Sequence, residues 1–320
     1  MSNRVVYFNG EFVNEMDAKV SIYDSALMFG DTVFEMTRSF NKNQFKLEDH
    51  IDRLLQGIKI YRIPLKVSKN QLIDICHQTV EKNEKLFDEK DEHRLMINVS
   101  RGPLSIYSHL FTNPGPTLIV ADFPLKWTVN SMGKLYDEGI NAVITNQKAI
   151  PSYLMDPKIK NRSRVFYQMA NIEASMFKGQ NNWALLQDIN GFIAEGSGDN
   201  FFIIKDEIIY TPKTTHCLDG ISRRYIFEIA KELNLKCIEK DIEFYDVCAA
   251  DEAFMTGTPF CILPVGSING IKIGDKIYGN ITKKLLNKWS KNVNVNIEEQ
   301  LKSYYINDKK NDGPSPYQFK

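Results

Sequence analysis

The sequence predicts a mixed α/β protein of two domains. Three observations carry that expectation. The chain has 320 residues, enough for two domains of ordinary size at roughly 100–200 residues each. Its 43% apolar content can build two cores, and its 25% charged content is that of a globular chain rather than a disordered tail. Segments of strand-like alternation and of helical spacing are interleaved along its whole length.

The elements follow in order. Val5–Phe8 and Glu11–Val13 flank Asn9-Gly10, the signature of a tight hairpin. A strand is expected over Val33–Phe40, closed by a turn at Asn41-Lys42-Asn43. Leu47, Ile51, Leu54, Leu55 and Ile58 repeat at helical spacing, which predicts a helix over 47–61 stopped by Pro64. Residues 69–86 read as a second helix, and 94–100 and 117–121 as strands. The N-terminal domain is expected over 1–123 and a linker over 124–133. In the second domain, 134–298, strands are expected at 140–145, 182–187, 192–195, 200–204 and 253–256. Helices are expected at 164–177, 222–233 and about 280–290. The tail, 299–320, with its Gly313-Pro314-Ser315-Pro316 run, reads as poorly ordered.

Composition excludes several classes. Forty basic residues balance 40 acidic ones, so no cationic excess exists to neutralise nucleic-acid phosphates. No stretch approaches the ~20 apolar residues of a membrane span, and the first residues carry no apolar signal region. The five cysteines are scattered, form no C-x-x-C pair and suit a cytoplasmic chain. No histidine or cysteine spacing suits a metal, so no metal is expected.

Four short segments have chemical potential. Lys158 and Lys160 in Asp156-Pro157-Lys158-Ile159-Lys160-Asn161 are candidate nucleophiles, because a desolvated lysine forms a Schiff base. Glu195, between a strand and the Gly196-Ser197-Gly198 turn, is placed to hold a pyridinium nitrogen. Gly220-Ile221-Ser222 at a helix start presents free N–H groups to a phosphate, and Gly257-Thr258 after a strand is a second possible anion cup. Taken singly, each has a commoner structural reading: a surface lysine, a solvated turn acid, an ordinary helix start, a strand-ending turn.

Together, and with His50-Ile51-Asp52-Arg53-Leu54 in the first predicted helix, they are more specific. The chain resembles the fold type IV pyridoxal-phosphate enzymes from about residue 5 to 290. That family includes branched-chain and D-amino-acid aminotransferases, (R)-selective amine transaminases and aminodeoxychorismate lyase. The likeness rests on Phe29–Glu35, His50–Leu54, Ile159-Lys160, Glu173-Ala174, the turn from Glu195 to Asn200, Gly220–Arg223, and Asp251–Phe254 leading to Gly257-Thr258.

The resemblance implies a two-domain fold with pyridoxal 5'-phosphate in the cleft between the domains, and a homodimer. By resemblance Lys160 is the catalytic Schiff-base lysine, favoured over Lys158 by its spacing to Glu173-Ala174. Glu195 holds the ring nitrogen, Arg53 binds the phosphate, and Ile221, Ser222, Gly257 and Thr258 add contacts to it. Many branched-chain enzymes carry a tyrosine about five residues after the lysine. Val165 stands there instead, and the neighbouring Arg164 is the expected donor to the ring oxygen. Phe34 falls where the family lines the substrate pocket, and Arg38, Arg94 and Arg101 are rival anchors for the substrate carboxylate. The loop with Tyr107 and His109 is expected near the site. Arg101 is not followed by the histidine that D-amino-acid enzymes usually have; Pro103 stands there. The expected reaction is amino transfer between an apolar, branched-chain-like amino acid and a 2-oxo acid. The alternatives are a D-amino-acid or (R)-amine transaminase, an aminodeoxychorismate lyase-type enzyme, and a non-catalytic cofactor-binding homologue.

Overall fold

The computed structural model describes residues 3–112 and 115–307 and divides into two compact units. Among the described residues, the first comprises those from 3 to 127 together with 159–164, and the second those from 128 to 158 and from 165 to 307.

In the first unit, β1 (Val5–Phe8) and β2 (Glu11–Asn14) form the expected hairpin. Asn9 and Gly10 both take positive φ, 51° and 110°, as a two-residue turn matched to strand twist requires. A short helix, α1 (Ser25–Phe29), is capped by the Asp24 carboxylate, which accepts from Ala26 N. β3 (Thr32–Met36) is shorter than expected. The chain leaves the sheet at Thr37-Arg38 and returns in β4 (Ser39–Phe40), which pairs with β5 (Asn43–Gln44) across Asn41 and Lys42, both at positive φ. Helices α2 (Leu47–Ile60) and α3 (Lys69–Asn83) follow, the latter opened by a Ser68/Gln71 capping box. β6 (His93–Ser100) and β7 (Thr117–Pro124) complete a five-stranded antiparallel sheet of order β2-β1-β7-β6-β3.

One face of this sheet is covered. Leu95, Ile97 and Val99 of β6 and Leu118 and Val120 of β7 pack with Ile51, Leu54 and Leu72 of the helices. α2 comes so close that a Cβ at Gly57 would meet Val33 at 2.7 Å. The intervening residues face the other way and stay partly exposed: Met36 on β3, Met96 and Asn98 on β6, and Ile119, Ala121 and Phe123 on β7. The open face of the sheet is therefore apolar, with polar side chains placed among methionines.

Residues 159–164 join the first unit, although the sequence pattern places them in the C-terminal domain. They run along the free edge of β3: Phe34 N donates to Lys160 O (2.9 Å), Arg162 N donates to Thr32 O (2.9 Å), and Val33 bridges Asn161. Ile159 is buried in the first unit's core.

In the second unit, α4 (Lys126–Val129, spanning the division) and α5 (Leu135–Glu138) precede β8 (Ile140–Ile144). Then come α6 (Val165–Ser175), β9 (Asn182–Gln187), β10 (Ile193–Gly196), β11 (Asn200–Lys205), β12 (Ile208–Thr211) and α7 (Ile221–Glu232). β13 (Cys237–Glu239), α8 (Phe244–Cys248), β14 (Glu252–Gly257), β15 (Cys261–Ile268), β16 (Ile271–Lys272) and α9 (Asn280–Val293) follow. The strands make a nine-stranded sheet of order β10-β9-β8-β15-β14-β11-β12-β13, with β16 on β15. Phe202 and Phe254 stack at 4.8 Å in its buried centre. Glu252 carries α9: its carboxylate accepts from Ile281 N and Thr282 N at 2.9 and 2.8 Å.

The expected disordered tail begins too early. Residues 297–307 form a helix, α10 (Ile297–Asn307), because Ile297, Leu301 and Tyr304 recur at helical spacing and are buried. The rest of that tail lies outside the described residues.

Candidate active site

Lys160 is half-buried at the edge of β3, with its Nζ 4.9 Å from the Phe34 ring centroid. The segment's hydrogen bonds to Thr32 and Phe34 fix its backbone, so the side chain projects from a rigid edge rather than from a loop. Lys158 is different: it is exposed and paired with Asp156 at 3.0 Å. Arg162 stacks on the same Phe34 ring, its Cζ 3.7 Å from the centroid, and donates to Asn98 Oδ1 at 2.9 Å. Arg164 lies 5.5 Å from that centroid. Three cations thus surround one buried aromatic face, each drawn by the ring quadrupole. Arg162 was missed by the sequence reading, although its position two residues after Lys160 on the same extended segment is a usable signal.

Behind Phe34, Glu35 points into the covered side of the sheet and is fully buried. Arg53 grips it with both ends of its fork, Nε to Oε1 at 2.6 Å and Nη2 to Oε2 at 2.9 Å, and His50 Nδ1 lies 2.8 Å from Oε2. Burial pushes Glu35 up, but the Arg53 charge, then the His50 contacts, outweigh it and hold the carboxyl well below its usual range. Burial likewise drives His50 down, so the neutral ring donates its Nδ1 proton to Glu35. The His50–Arg53 spacing thus serves one buried carboxylate, and Arg53 is fixed by it.

The three candidate carboxylate anchors differ. Arg94 is on the open face of the sheet, its Nη2 3.6 Å from Met36 Sδ and its Cζ 6.0 Å from the Phe123 centroid. Arg38 is buried over the Phe40 ring at 3.9 Å, where β3 breaks. Arg101 is committed elsewhere. It binds Asp31 at 2.7 Å and the carbonyls of Tyr61 and Arg62 just past α2, at 2.7 and 2.9 Å. Tyr107 sits in a 3-10 turn over Ser105–Leu110 and packs on Tyr23, with ring centroids 4.6 Å apart; His109 belongs to the same turn.

The second unit holds Glu195 and the glycine-led start of α7. Glu195, near the end of β10, is 4% exposed. The Tyr167 hydroxyl donates to its Oε1, and Leu218 N–H donates to Oε2 at 3.0 Å. Leu218 leads through Asp219 and Gly220 into α7. Gly220 provides no capping side chain, so the first N–H groups of α7, at Ile221 and Ser222, have no side-chain cap from it. A Cβ at 220 would lie 2.2 Å from Asn200 Oδ1, so any other residue there would displace the Asn200 amide. Gly257 ends β14, buried against Phe260, and Thr258 is half-buried beside it. Burial, and then the Glu195 charge, push the Cys217 thiol up, so it is inert as a nucleophile. Among the described residues, no cluster of His, Cys, Asp or Glu can hold a metal.

Each unit by itself carries groups that suit a phosphorylated pyridine aldehyde: the first an amine on a rigid edge, the second a buried acid with each oxygen oriented and a helix start without a side-chain cap. The comparisons give the family. The family model for Amino-transferase class IV matches residues 32–268. The chain belongs to the class IV aminotransferases. It is 32% identical over 292 residues to the branched-chain-amino-acid aminotransferase of Escherichia coli strain K12, covering 88% of this chain and 90% of that one. The Salmonella typhimurium enzyme gives the same identity and coverage. Among solved structures, the T.th. branched-chain amino acid aminotransferase with pyridoxamine 5'-phosphate has a TM-score of 0.79 at 25% identity, covering 98% of both chains. The Thermoproteus uzoniensis branched-chain aminotransferase with norvaline has a TM-score of 0.77 at 26% identity, covering 94% of this chain and 97% of that one. The fold of this class IV aminotransferase is thus fold type IV.

Proposed function

We propose that this class IV aminotransferase uses pyridoxal 5'-phosphate to move an amino group between an apolar, branched-chain-like amino acid and a 2-oxo acid. The observation that carries this reading is Lys160, seated on a rigid strand edge over Phe34, beside an open sheet face lined by Met36 and Met96. When bound, the cofactor supplies an electron sink for the substrate Cα.

The chain's own residues do the rest. Lys160 binds the cofactor aldehyde and, once released, carries the proton to and from the substrate Cα. Glu195 keeps the ring nitrogen protonated. Ile221 and Ser222 at the start of α7, with Gly257 and Thr258, hold the phosphate through N–H and hydroxyl groups, and Arg53 adds a guanidinium that Glu35 keeps aimed. Arg164 donates to the ring oxygen. Phe34, Met36 and Met96 give the side chain an apolar, adaptable wall. Arg94, at the far end of that wall, is the favoured anchor for a carboxylate, ahead of Arg38; Arg101 is already engaged by Asp31.

A homodimer and a cytoplasmic location belong to the same reading. Leu27, Met28 and Phe29 of α1 and Ile106 and Leu110 of the neighbouring turn are exposed apolar side chains on two segments joined by Ser25 N to Gly102 O and Leu104 N to Tyr23 O. Such a cluster suits a second copy of the chain. All five cysteines are free thiols, as a reducing compartment keeps them. No described helix is long and apolar enough to cross a membrane.

The test is a set of half-reactions followed by visible absorbance, with L-leucine, D-alanine and a chiral (R)-amine offered separately. L-leucine is expected to bleach the band of the bound cofactor, and Lys160→Ala to lower turnover by about 10²–10⁴-fold or more. Bleaching by D-alanine or the amine alone would transfer the assignment to those classes. Pyruvate release from 4-amino-4-deoxychorismate, offered as a fourth substrate and without bleaching of the cofactor band, would indicate a lyase.

A further inference from the structure

Tyr167, in the first turn of α6, has no role in the reading above, and its partner is 28 residues away in sequence. Its hydroxyl donates to Glu195 Oε1, while Leu218 N–H takes Oε2 at 3.0 Å. Each oxygen of the buried carboxylate thus has its own neutral donor, which fixes rotation about the last side-chain bond and favours the charged form. The phenol is itself held. Its ring lies 4.0 Å from that of Phe166, and both pack on the apolar cluster that includes Val143, Ala170 and Ala174.

The second donor ties the acid to the phosphate cradle. Asn200 Nδ2 donates to Leu218 O at 2.8 Å, Gly220 N donates to the same carbonyl at 2.9 Å, and the Asn200 amide oxygen occupies the space a Cβ of residue 220 would need. Residues 218–220 therefore hold Glu195 on one side and start α7 on the other. Tyr167 secures the opposite oxygen of the same carboxylate, so the acid is gripped from α6 and from the α7 approach together.

We propose that Tyr167 is a positioning residue whose hydroxyl fixes the charge and direction of Glu195, so that the acid and the first turn of α7 are preset before the cofactor arrives. The proposal rests on the reading that assigns Glu195 to the cofactor ring nitrogen, but its first test does not.

That test is a carboxyl titration of the full-length, cofactor-free chain labelled with ¹³C at glutamate, the Glu195 signal being assigned with Glu195→Gln. Tyr167→Phe removes only the hydroxyl, and the Glu195 midpoint is expected to rise by about one pH unit, a tenfold shift in its protonation equilibrium. An unchanged midpoint overturns the proposal. The second measurement is the dissociation constant of pyridoxal 5'-phosphate across the acid range. In Tyr167→Phe, affinity is expected to fall away at a pH about one unit higher than in the parent. In the Glu195→Gln background the same substitution is expected to change nothing. If it weakens the cofactor equally in both backgrounds, Tyr167 does not act through Glu195 and the proposal fails. If the parent chain takes up no pyridoxal 5'-phosphate, the proposed function fails, while the carboxyl titration still decides on Tyr167.

Discussion

Glu35 in the first unit and Glu195 in the second are both buried carboxylates, yet they are held by opposite means. Glu35 is gripped by a bidentate guanidinium and a neutral imidazole, which cancel its charge and saturate its oxygens. Glu195 is held by a phenol hydroxyl and a peptide N–H, which orient a carboxylate without cancelling its charge. Burial is nearly the same in the two cases, so the partners and not the depth set what each acid can do. The first is a structural brace that keeps α2 and β3 together; the second is the acid proposed above to meet a cationic ligand group.

Substitution should separate the two. Glu195→Gln keeps an acceptor for Leu218 N–H and the shape of the side chain. It is therefore expected to leave the unfolding free energy of the cofactor-free protein within about 1 kcal/mol. Amino transfer is expected to drop by about 10²–10³-fold, the cost of removing one preorganised electrostatic partner. Glu35→Gln strands the Arg53 guanidinium inside the first unit. A loss of about 3–5 kcal/mol in urea unfolding is expected there, and any protein that remains folded is expected to bind pyridoxal 5'-phosphate more weakly but to keep most of its turnover once saturated, because Glu35 acts only by aiming Arg53. If Glu35→Gln lost activity without losing stability, or Glu195→Gln did the reverse, the contrast between brace and ligand would be wrong.

A third carboxylate sharpens the comparison. Asp122 on β7 is as buried as Glu35, but its partner is His93, 2.8 Å away, with no guanidinium bonded to it. Burial pushes its carboxyl up to about 6, and the His93 contacts only partly oppose that. The folded-state value therefore lies above the ordinary value of about 3.9. The unfolded chain releases this proton near pH 4 and the folded chain only near 6. As pH rises through that window the unfolded state binds fewer protons, so this group makes stability fall, by up to about 3 kcal/mol at 1.4 kcal/mol per unit. Asp122→Asn is expected to remove that downward slope from a plot of unfolding free energy against pH. An unaltered slope would show that Asp122 does not titrate there.

What the sequence made legible follows the same division between local and distant partners. Glu195 and the Gly220–Ser222 helix start could be singled out because each announces itself within a few residues, by a Gly/Ser turn and a helix start, whereas Lys160 was separated from Lys158 only by resemblance, through its spacing to Glu173-Ala174. α2 was legible from its apolar spacing alone. The Glu35–Arg53 clamp and the Tyr167–Glu195 bond were not, because their members are 18 and 28 residues apart and meet only through tertiary folding. β15 escaped because Pro264 and Gly266 interrupt an apolar run that otherwise reads as a strand; it is nonetheless central, with a register shift after Val265 where it meets β8. The helix after residue 296 was hidden by the Pro/Gly-rich stretch behind it. The different place of 159–164 has the same cause: an extended segment inserted in the second unit's sequence pairs with β3, more than 120 residues earlier.

The smallest expected effect separates two arginines. Arg94 and Arg101 were equal candidates by residue type, but one lies on the open sheet face against Met36 and the other is clamped by Asp31 and the carbonyls after α2. Arg101 is 38% exposed, so solvent screens its ion pair and Arg101→Met is expected to cost no more than about 1 kcal/mol of stability. Its KM for 2-oxoglutarate and for L-leucine should both stay at parent values, since Nε, Nη1 and Nη2 are already engaged by Asp31 and the two carbonyls. Arg94→Met keeps the methionine-rich character of the face and removes its cation. It is expected to raise KM for both 2-oxoglutarate and L-leucine, each of which carries an α-carboxylate, by about tenfold or more, the worth of a charge-assisted hydrogen bond. Steady-state kinetics on the two variants side by side decides the matter. A KM effect at Arg101 with none at Arg94 would place the carboxylate at the end of β6 instead of on its open face, and would require the Asp31 pair to open when substrate binds.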